Sequence, residues 1–138
     1  MKILVAEDDL ASRKLMHKYL SCYGDCDIAS DGKVAIEAFR CALDENAPYD
    51  LICLDIMMPN KDGHAALNTI RKIEDDHGIG GFDSVKVIMT TALSDSENIM
   101  GSFREGCKAY LIKPIEKNKL LKEMSNLGLI KFAETSDN

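Results

Sequence analysis

The sequence has no long uninterrupted run of apolar residues. A helix that crosses a bilayer needs about 20 consecutive apolar residues, so we expect no membrane span. The apolar start, Met1–Ala6, meets the acidic residues Glu7, Asp8 and Asp9 too early to form the apolar region of a signal peptide. These absences predict a cytoplasmic protein with no membrane partner.

An excess of positive charge is also missing. Lys and Arg number 17 against 23 Asp and Glu, which gives a net charge of -6. Nonspecific nucleic-acid binding depends on clustered Lys and Arg that neutralise phosphates, so this balance disfavours direct nucleic-acid binding. The 138 residues, with 46% hydrophobic and 29% charged, are typical of one soluble globular core.

The five cysteines show no spacing typical of a structural metal site. Cys22 and Cys26 are four residues apart, but no second Cys or His pair accompanies them. Without an export signal, we interpret all five as reduced thiols. His17, His64 and His77 also lack metal-ligand spacing, and we interpret them as surface residues.

The sequence does contain an alternation of two kinds of segment. Five short apolar runs occupy residues 3–6, 27–29, 51–54, 85–89 and 109–112. Between and after them, apolar residues recur at helical spacing. These stripes are Leu15, Tyr19 and Cys22; Ile36, Phe39 and Leu43; Leu67, Ile70 and Ile73; Ile99 and Phe103; and Leu120, Met124 and Leu127. Strands that are apolar nearly throughout indicate a parallel sheet covered by helices on both faces, hence a doubly wound (βα)5 fold of the α/β class.

Polar side chains follow four of these strands where each strand ends. Glu7, Asp8 and Asp9 follow the first, Asp55 ends the third, Thr90–Thr91 end the fourth, and Lys113 follows the fifth. Ligands of open α/β sheets bind at this edge. Clustered carboxylates repel one another unless a bound cation or a raised pKa reduces the repulsion. Mg²⁺ prefers oxygen ligands and a site with room for water.

Four motifs at these strand ends, in this order, resemble the receiver domain of two-component response regulators. They are ILVAEDD at 3–9, LDIMMP at 54–59 with Asp62–Gly63, MTTA at 89–92, and Lys113-Pro114. The resemblance covers about residues 2–127. It implies a flavodoxin-like fold with a five-stranded parallel sheet in the order 2-1-3-4-5. It also implies a receiver domain over residues 1–128 and a short, frayed C-terminal tail over 129–138.

The resemblance further implies the chemistry of the site. Asp55 would be the phosphoacceptor. Asp8 and Asp55 would bind Mg²⁺ through their side chains, Met57 through its backbone carbonyl, and Glu7 through a metal-bound water. Lys113 would pair with a phosphoryl oxygen, and its bond to Pro114 resembles the family's cis-proline turn.

A threonine and an aromatic residue would complete this site as a switch. The resemblance implies that Thr91 donates its hydroxyl to the phosphoryl group and that Tyr110 moves together with it. Thr90 competes for the same role. The family motif places a small residue after the threonine, here Ala92, and we therefore favour Thr91.

By this resemblance the chain is a stand-alone, single-domain response regulator, or a phosphorelay intermediate. It would take a phosphoryl group from a sensor histidine kinase or a histidine phosphotransfer protein. It would signal to a separate protein through the surface of the fourth and fifth predicted helices and the fifth strand. We expect no enzyme activity beyond its own phosphorylation and dephosphorylation. A monomer is the default, with dimerisation on phosphorylation as the alternative.

Two apolar residues and one loop depart from the best-known pattern of the family. Met57 and Leu93 occupy positions that influence attack by water, and neither can orient a water, so we expect slow self-dephosphorylation. The segment 74–84 after the third helix is longer than usual, and we assign it no catalytic role.

Three alternatives remain open at this point. A Mg²⁺-dependent phosphatase with an aspartyl-phosphate intermediate usually needs an Asp-x-Asp pair, which Asp55-Ile56-Met57 lacks. A flavin or nucleotide carrier needs a glycine-rich loop after the first strand, and none is present there. A degenerate receiver would act as an interaction domain without phosphorylation.

Overall fold

A computed structural model of the chain describes residues 1–92 and 109–131. The strands are β1 (Lys2–Ala6), β2 (Asp25–Ala29), β3 (Leu51–Asp55), β4 (Lys86–Thr91) and β5 (Ala109–Ile112). The described helices are α1 (Leu10–Leu20), α2 (Gly32–Asp44), α3 (Gly63–Asp76) and α4 (Lys117–Asn126), with a 3-10 turn at Gly81–Asp83. Our α4 is the fifth helix that the sequence predicts. The predicted fourth helix with Ile99 and Phe103, as well as Leu93, lies outside the described residues.

The five strands form one parallel sheet in the order β2-β1-β3-β4-β5. This confirms the predicted architecture. The strand order reverses between β1 and β3, so the polar residues that follow these two strands lie at the switch point where such folds bind ligands. The register pairs Val5 with Cys53, Asp55 with Thr90, and Thr91 with Ile112.

The sheet separates two hydrophobic clusters. The α2/α3 cluster includes Leu4, Phe39, Leu54, Leu67 and Met89. The α1/α4 cluster includes Val5, Met16, Cys53, Ile88 and Leu120. Successive residues of β1, β3 and β4 alternate between the clusters because side chains alternate across a strand. Each cluster buries one face of the sheet, as the apolar strand runs predict.

Two local expectations were wrong. β2 is an edge strand in which Asp25, Asp27 and Ile28 are exposed, so it is not buried on both faces. In α1 the buried residues are Met16 and Leu20, not the predicted stripe. Leu15–Met16 and Tyr19–Leu20 are both apolar pairs, so periodicity alone does not decide which member of each pair faces the sheet. Cys22 lies beyond the end of α1 and is exposed.

Helix α4 ends with glycine in the left-handed conformation. Gly128 has φ of 80°, and the Gly128 and Leu129 N–H groups donate to the Ser125 and Met124 carbonyls. Such a cap satisfies carbonyls that the helix leaves unpaired. Beyond it, Leu129 and Ile130 pack half-buried against the α1/α4 cluster. None of the described helices combines the length and apolar character that crossing a membrane requires.

A buried carboxylate anchors the end of α3 to the start of β4. Glu74 is 2% exposed, and its Oε2 accepts the Val85 N–H at 2.7 Å. Arg71 Nη1 donates to Glu74 Oε1 at 2.6 Å and to the Val85 carbonyl at 3.0 Å. The segment 74–84 is therefore fixed at both ends by this clamp, on the sheet edge opposite Asp55.

We expect Glu74→Gln to lower the free energy of unfolding by about 2 kcal/mol, because a buried ion pair loses one partner. Urea titration followed by circular dichroism measures this change. Glu116→Gln is the matched control, since Glu116 pairs with Lys119 at an exposed site and such pairs contribute little. An equal loss of stability in the two variants would contradict a stabilising role of the bonds that Glu74 makes to Arg71 and Val85.

Candidate functional site

Three carboxylates meet at the carboxyl edge of the sheet, at the switch point. Oxygen atoms of Glu7, Asp8 and Asp55 lie within 4.8 Å of one another. Glu7 and Asp55 are 2% and 4% exposed, whereas Asp8 is exposed. The Glu7 N–H donates to the Ala29 carbonyl at 3.0 Å, which continues the β1–β2 ladder and holds Glu7 at the strand end.

Lys113 connects two of these carboxylates. Its Nζ lies 2.6 Å from Glu7 Oε1 and 3.0 Å from Asp55 Oδ2. The Lys113 N–H donates to the Thr91 carbonyl at 2.8 Å, and the Lys113–Pro114 bond is cis, as the resemblance implies. Burial lowers the pKa of Lys113, but its bonds to Glu7 and Asp55 outweigh burial and raise the pKa above its usual value. The ammonium is therefore charged and held over the site.

The pKa of Glu7 is also raised. Burial is the main cause, followed by a hydrogen bond shared with Asp55, while Lys113 acts in the opposite direction. Two buried carboxyls in contact disfavour full ionisation of both. The site therefore carries more negative charge than one ammonium neutralises well, which favours a further cation.

The loop after Asp55 is packed tightly against the end of β3. The Met57 N–H donates to Asp55 Oδ1 at 3.2 Å, and the Gly63 N–H donates to the Ile56 carbonyl at 2.8 Å. A Cβ on Gly63 would lie 2.5 Å from the Asp55 carbonyl oxygen and 2.8 Å from Ile56 Cα. The start of α3 can approach Asp55 this closely only with glycine at position 63.

A second contact of this loop was not predicted from the sequence. Asn60 has φ of 66°, and its Nδ2 donates to Asp31 Oδ2 at 2.7 Å. Asp31 also caps α2 by accepting the Val34 N–H. The cap was recognisable as an Asp before a helix, but its second partner lies 29 residues away and has no local signal. This contact ties the loop that carries Met57, 55% exposed, to α2.

The two threonines end β4, next to the strand that carries Asp55, and Tyr110 lies in β5. Thr90 and Thr91 are both buried, and the Thr91 hydroxyl donates to the Ala92 carbonyl at 3.2 Å. Tyr110 is half-buried and packs against the α2/α3 cluster. Glu7, Asp8, Asp55 and Lys113 are thus brought together. Thr91 instead bonds the Ala92 carbonyl, and Tyr110 packs against the α2/α3 cluster.

A family model described as the response regulator receiver domain matches residues 3–125 of this chain. The chain belongs to the response regulator receiver domain family. The earlier expectation from motifs at four strand ends is confirmed at this level.

Relatives of this receiver domain are signalling proteins. Hybrid signal transduction histidine kinase I of Dictyostelium discoideum is 36% identical over 134 residues, which are 96% of this chain and 7% of the kinase. The chain spans well under two thirds of the length of the first curated relatives it matches.

Solved structures show the same fold. A chain of the Saccharomyces cerevisiae complex between the phosphotransfer protein Ypd1 and the receiver domain of Ssk1 has a TM-score of 0.78 and 24% identity, covering 93% of this chain and 88% of that one. A chain of the Borrelia burgdorferi CheX-CheY-BeF3-Mg²⁺ complex has a TM-score of 0.76 and 24% identity, covering 91% and 88%.

The donor set of this receiver domain fits a magnesium ion. Its three carboxylates offer oxygen ligands only, two of them from buried side chains. Hard cations such as Mg²⁺ prefer oxygen ligands and keep several waters. The exposed Asp8 leaves room for water on one side of the group.

Proposed function

We propose that this receiver domain acts in a response regulator and accepts a phosphoryl group on Asp55. The observation that carries the proposal is the Lys113 ammonium, held 3.0 Å from Asp55 and 2.6 Å from Glu7 beside the exposed Asp8. This arrangement supports the proposal because it combines a carboxylate that can act as a nucleophile, a fixed positive charge and an exposed carboxylate that can bind a metal ion. The donor would be a phosphohistidine of a sensor histidine kinase or of a phosphotransfer protein.

Asp55 performs the transfer as a nucleophile. A carboxylate oxygen of Asp55 attacks phosphorus in line, the O–P bond forms, and the P–N bond to the donor imidazole breaks with its electron pair on nitrogen. The imidazole nitrogen then takes a proton from water. The Met57 N–H at 3.2 Å from Asp55 Oδ1 helps to orient the carboxylate for this attack.

Lys113 stays beside the transferred group. Because its ammonium already contacts Asp55 Oδ2, it pairs with a phosphoryl oxygen after transfer. Thr91 donates its hydroxyl once it leaves the Ala92 carbonyl. Asp8, Asp55 and the Met57 carbonyl, together with Glu7 through a water, would hold Mg²⁺, which would supply charge stabilisation for the phosphoryl oxygens.

The output is a population shift of the surface around β5. Thr91 and Tyr110 would move together, and the face of the predicted fourth helix, β5 and α4 would then bind a downstream protein differently. Tyr110 lies in β5 and is half-buried against the α2/α3 cluster. We take the unphosphorylated protein as a cytoplasmic monomer, and dimerisation on phosphorylation as the alternative.

Phosphoryl uptake from acetyl phosphate tests this function directly. Intact-protein mass spectrometry should show a gain of one phosphoryl group that depends on Mg²⁺. If the mass did not change and beryllofluoride also failed to bind, the chain would be a phosphorylation-independent interaction domain.

We expect the phosphorylated protein to lose its phosphoryl group slowly. Met57 is 55% exposed and follows Asp55 by two residues, so its thioether can cover the phosphoryl group but cannot orient an attacking water. Met57→Asn should therefore speed loss of the phosphoryl group about tenfold, because the amide can position water. The decay of the phosphorylated mass over time measures it. Met57→Leu is the control, and equal decay of both variants would contradict the role of Met57.

A further inference from the structure

Thr90 occupies the strand between the nucleophile and the ammonium. In the sheet order, β4 lies between β3, which carries Asp55, and β5, which leads to Lys113. The register pairs Thr90 with Asp55 on one side and with Leu111 on the other. Since Lys113 Nζ lies 3.0 Å from Asp55 Oδ2, the Lys113 side chain crosses β4 at this level.

The face of the sheet on which Thr90 lies follows from its neighbours. Ile88 belongs to the α1/α4 cluster, as do Cys53 and Leu111. Thr90 follows Ile88 by two positions, Asp55 follows Cys53 by two, and Lys113 follows Leu111 by two. Because strand side chains alternate with a period of two, Thr90 shares the face of Asp55 and Lys113.

Thr91 lies on the opposite face of the sheet. It follows Thr90 directly, and Met89, two residues before it, belongs to the α2/α3 cluster. Its hydroxyl already donates to the Ala92 carbonyl at 3.2 Å. Thr91 therefore has to exchange this bond before it reaches a group on Asp55, whereas Thr90 is on the correct face from the start.

The Thr90 side chain brings a hydroxyl to the strand beside Asp55. Thr90 is 4% exposed, and the register pairs it directly with Asp55. Directly paired residues on one face of a sheet are close enough for their side chains to interact. An acyl phosphate on Asp55 would bring charged acceptor oxygens to the neighbouring strand.

We infer that Thr90 donates a hydrogen bond to the phosphoryl group on Asp55, so that the site has a resident hydroxyl before Thr91 moves. This inference rests on the proposed phosphorylation of Asp55. The two threonines then have different roles. Thr90 assists phosphoryl uptake, and Thr91 takes part in the conformational switch. Thr90 is then a catalytic residue because it touches the reacting group.

The test compares Thr90→Val, which removes the hydroxyl at nearly constant shape, with Thr90→Ser, which keeps it. Thr69→Val is the matched control, because the Thr69 hydroxyl donates to Ala65 within α3. The readouts are the initial rate of phosphoryl uptake from acetyl phosphate with Mg²⁺ and the affinity for beryllofluoride by calorimetry. Thr90→Val should reduce both about tenfold, the size of one hydrogen bond to a charged group. Thr90→Ser and Thr69→Val should stay close to the wild type.

Two results would overturn the inference. Wild-type behaviour of Thr90→Val would show that the hydroxyl is not used. Equal impairment of Thr90→Val and Thr90→Ser would assign the effect to packing of the threonine methyl. Circular dichroism and thermal unfolding monitor folding, and Thr90→Ala against Thr90→Ser repeats the comparison if the valine variant does not fold. Absence of uptake by the wild type would instead remove the proposed function itself.

Discussion

Replacing Asp55 by Asn should abolish phosphoryl uptake from acetyl phosphate and leave the protein folded. The amide cannot act as the nucleophile, and within residues 1–92 and 109–131 the other carboxylate paired with Lys113 is Glu7. Glu7 lies 2.6 Å from Lys113, but its burial and its contact with Asp55 raise its pKa. The substitution also replaces one of three carboxylates with a neutral amide, so Mg²⁺ affinity should fall about tenfold or more. Mass spectrometry and calorimetry measure the two effects.

The folded state of the Asn variant should be at least as stable as that of the wild type in metal-free buffer. One buried negative charge disappears, and Lys113 keeps Glu7 as its partner. Asp76→Asn is the matched control, since Asp76 is exposed at the end of α3, on the opposite edge of the sheet. Undiminished uptake by the Asp55 variant would mean that another residue accepts the phosphoryl group.

The sequence predicted the sheet and the main site for the same physical reason. Parallel strands place their carboxyl ends at one edge, so Glu7 and Asp55 had to converge once β1 and β3 were neighbours. The long Lys113 side chain reaches both of them across β4. The neighbours themselves followed from the resemblance, because apolar runs alone do not specify strand order. Long apolar runs such as 51–54 also identified the strands that are buried on both faces.

Three other features of the structure could not be predicted from the local sequence. The acidic run that contains Glu74 is typical of a solvated helix end, and only the fold shows that Glu74 bonds Val85. The face on which Thr90 lies depends on register with Asp55, which two adjacent threonines do not reveal. The contact of Asn60 with Asp31 likewise joins segments far apart in the chain.

Replacing Lys113 by Met should change stability, metal binding and phosphoryl uptake together. Its ammonium neutralises Glu7 and Asp55, both nearly buried, and breaking a buried ion pair from one side leaves uncompensated charge. We expect the metal-free free energy of unfolding to fall by roughly 3 kcal/mol. The Mg²⁺ affinity should rise about tenfold, because a competing positive charge is gone. Phosphoryl uptake should fall roughly a hundredfold, the usual cost of losing a fixed charge at developing negative oxygens.

The expected rise in Mg²⁺ affinity, together with the expected fall in stability, distinguishes an electrostatic role of Lys113 from loss of packing. Since Mg²⁺ binds the folded state, it should restore more stability to the Met variant than it adds to the wild type. Calorimetry gives the affinity, and urea titrations with and without Mg²⁺ give the stability. Lys119→Met is the control, because Lys119 pairs with Glu116 at an exposed site of α4. A weaker Mg²⁺ affinity in the Lys113 variant would show that the ammonium organises the carboxylates for the metal and does not compete with it.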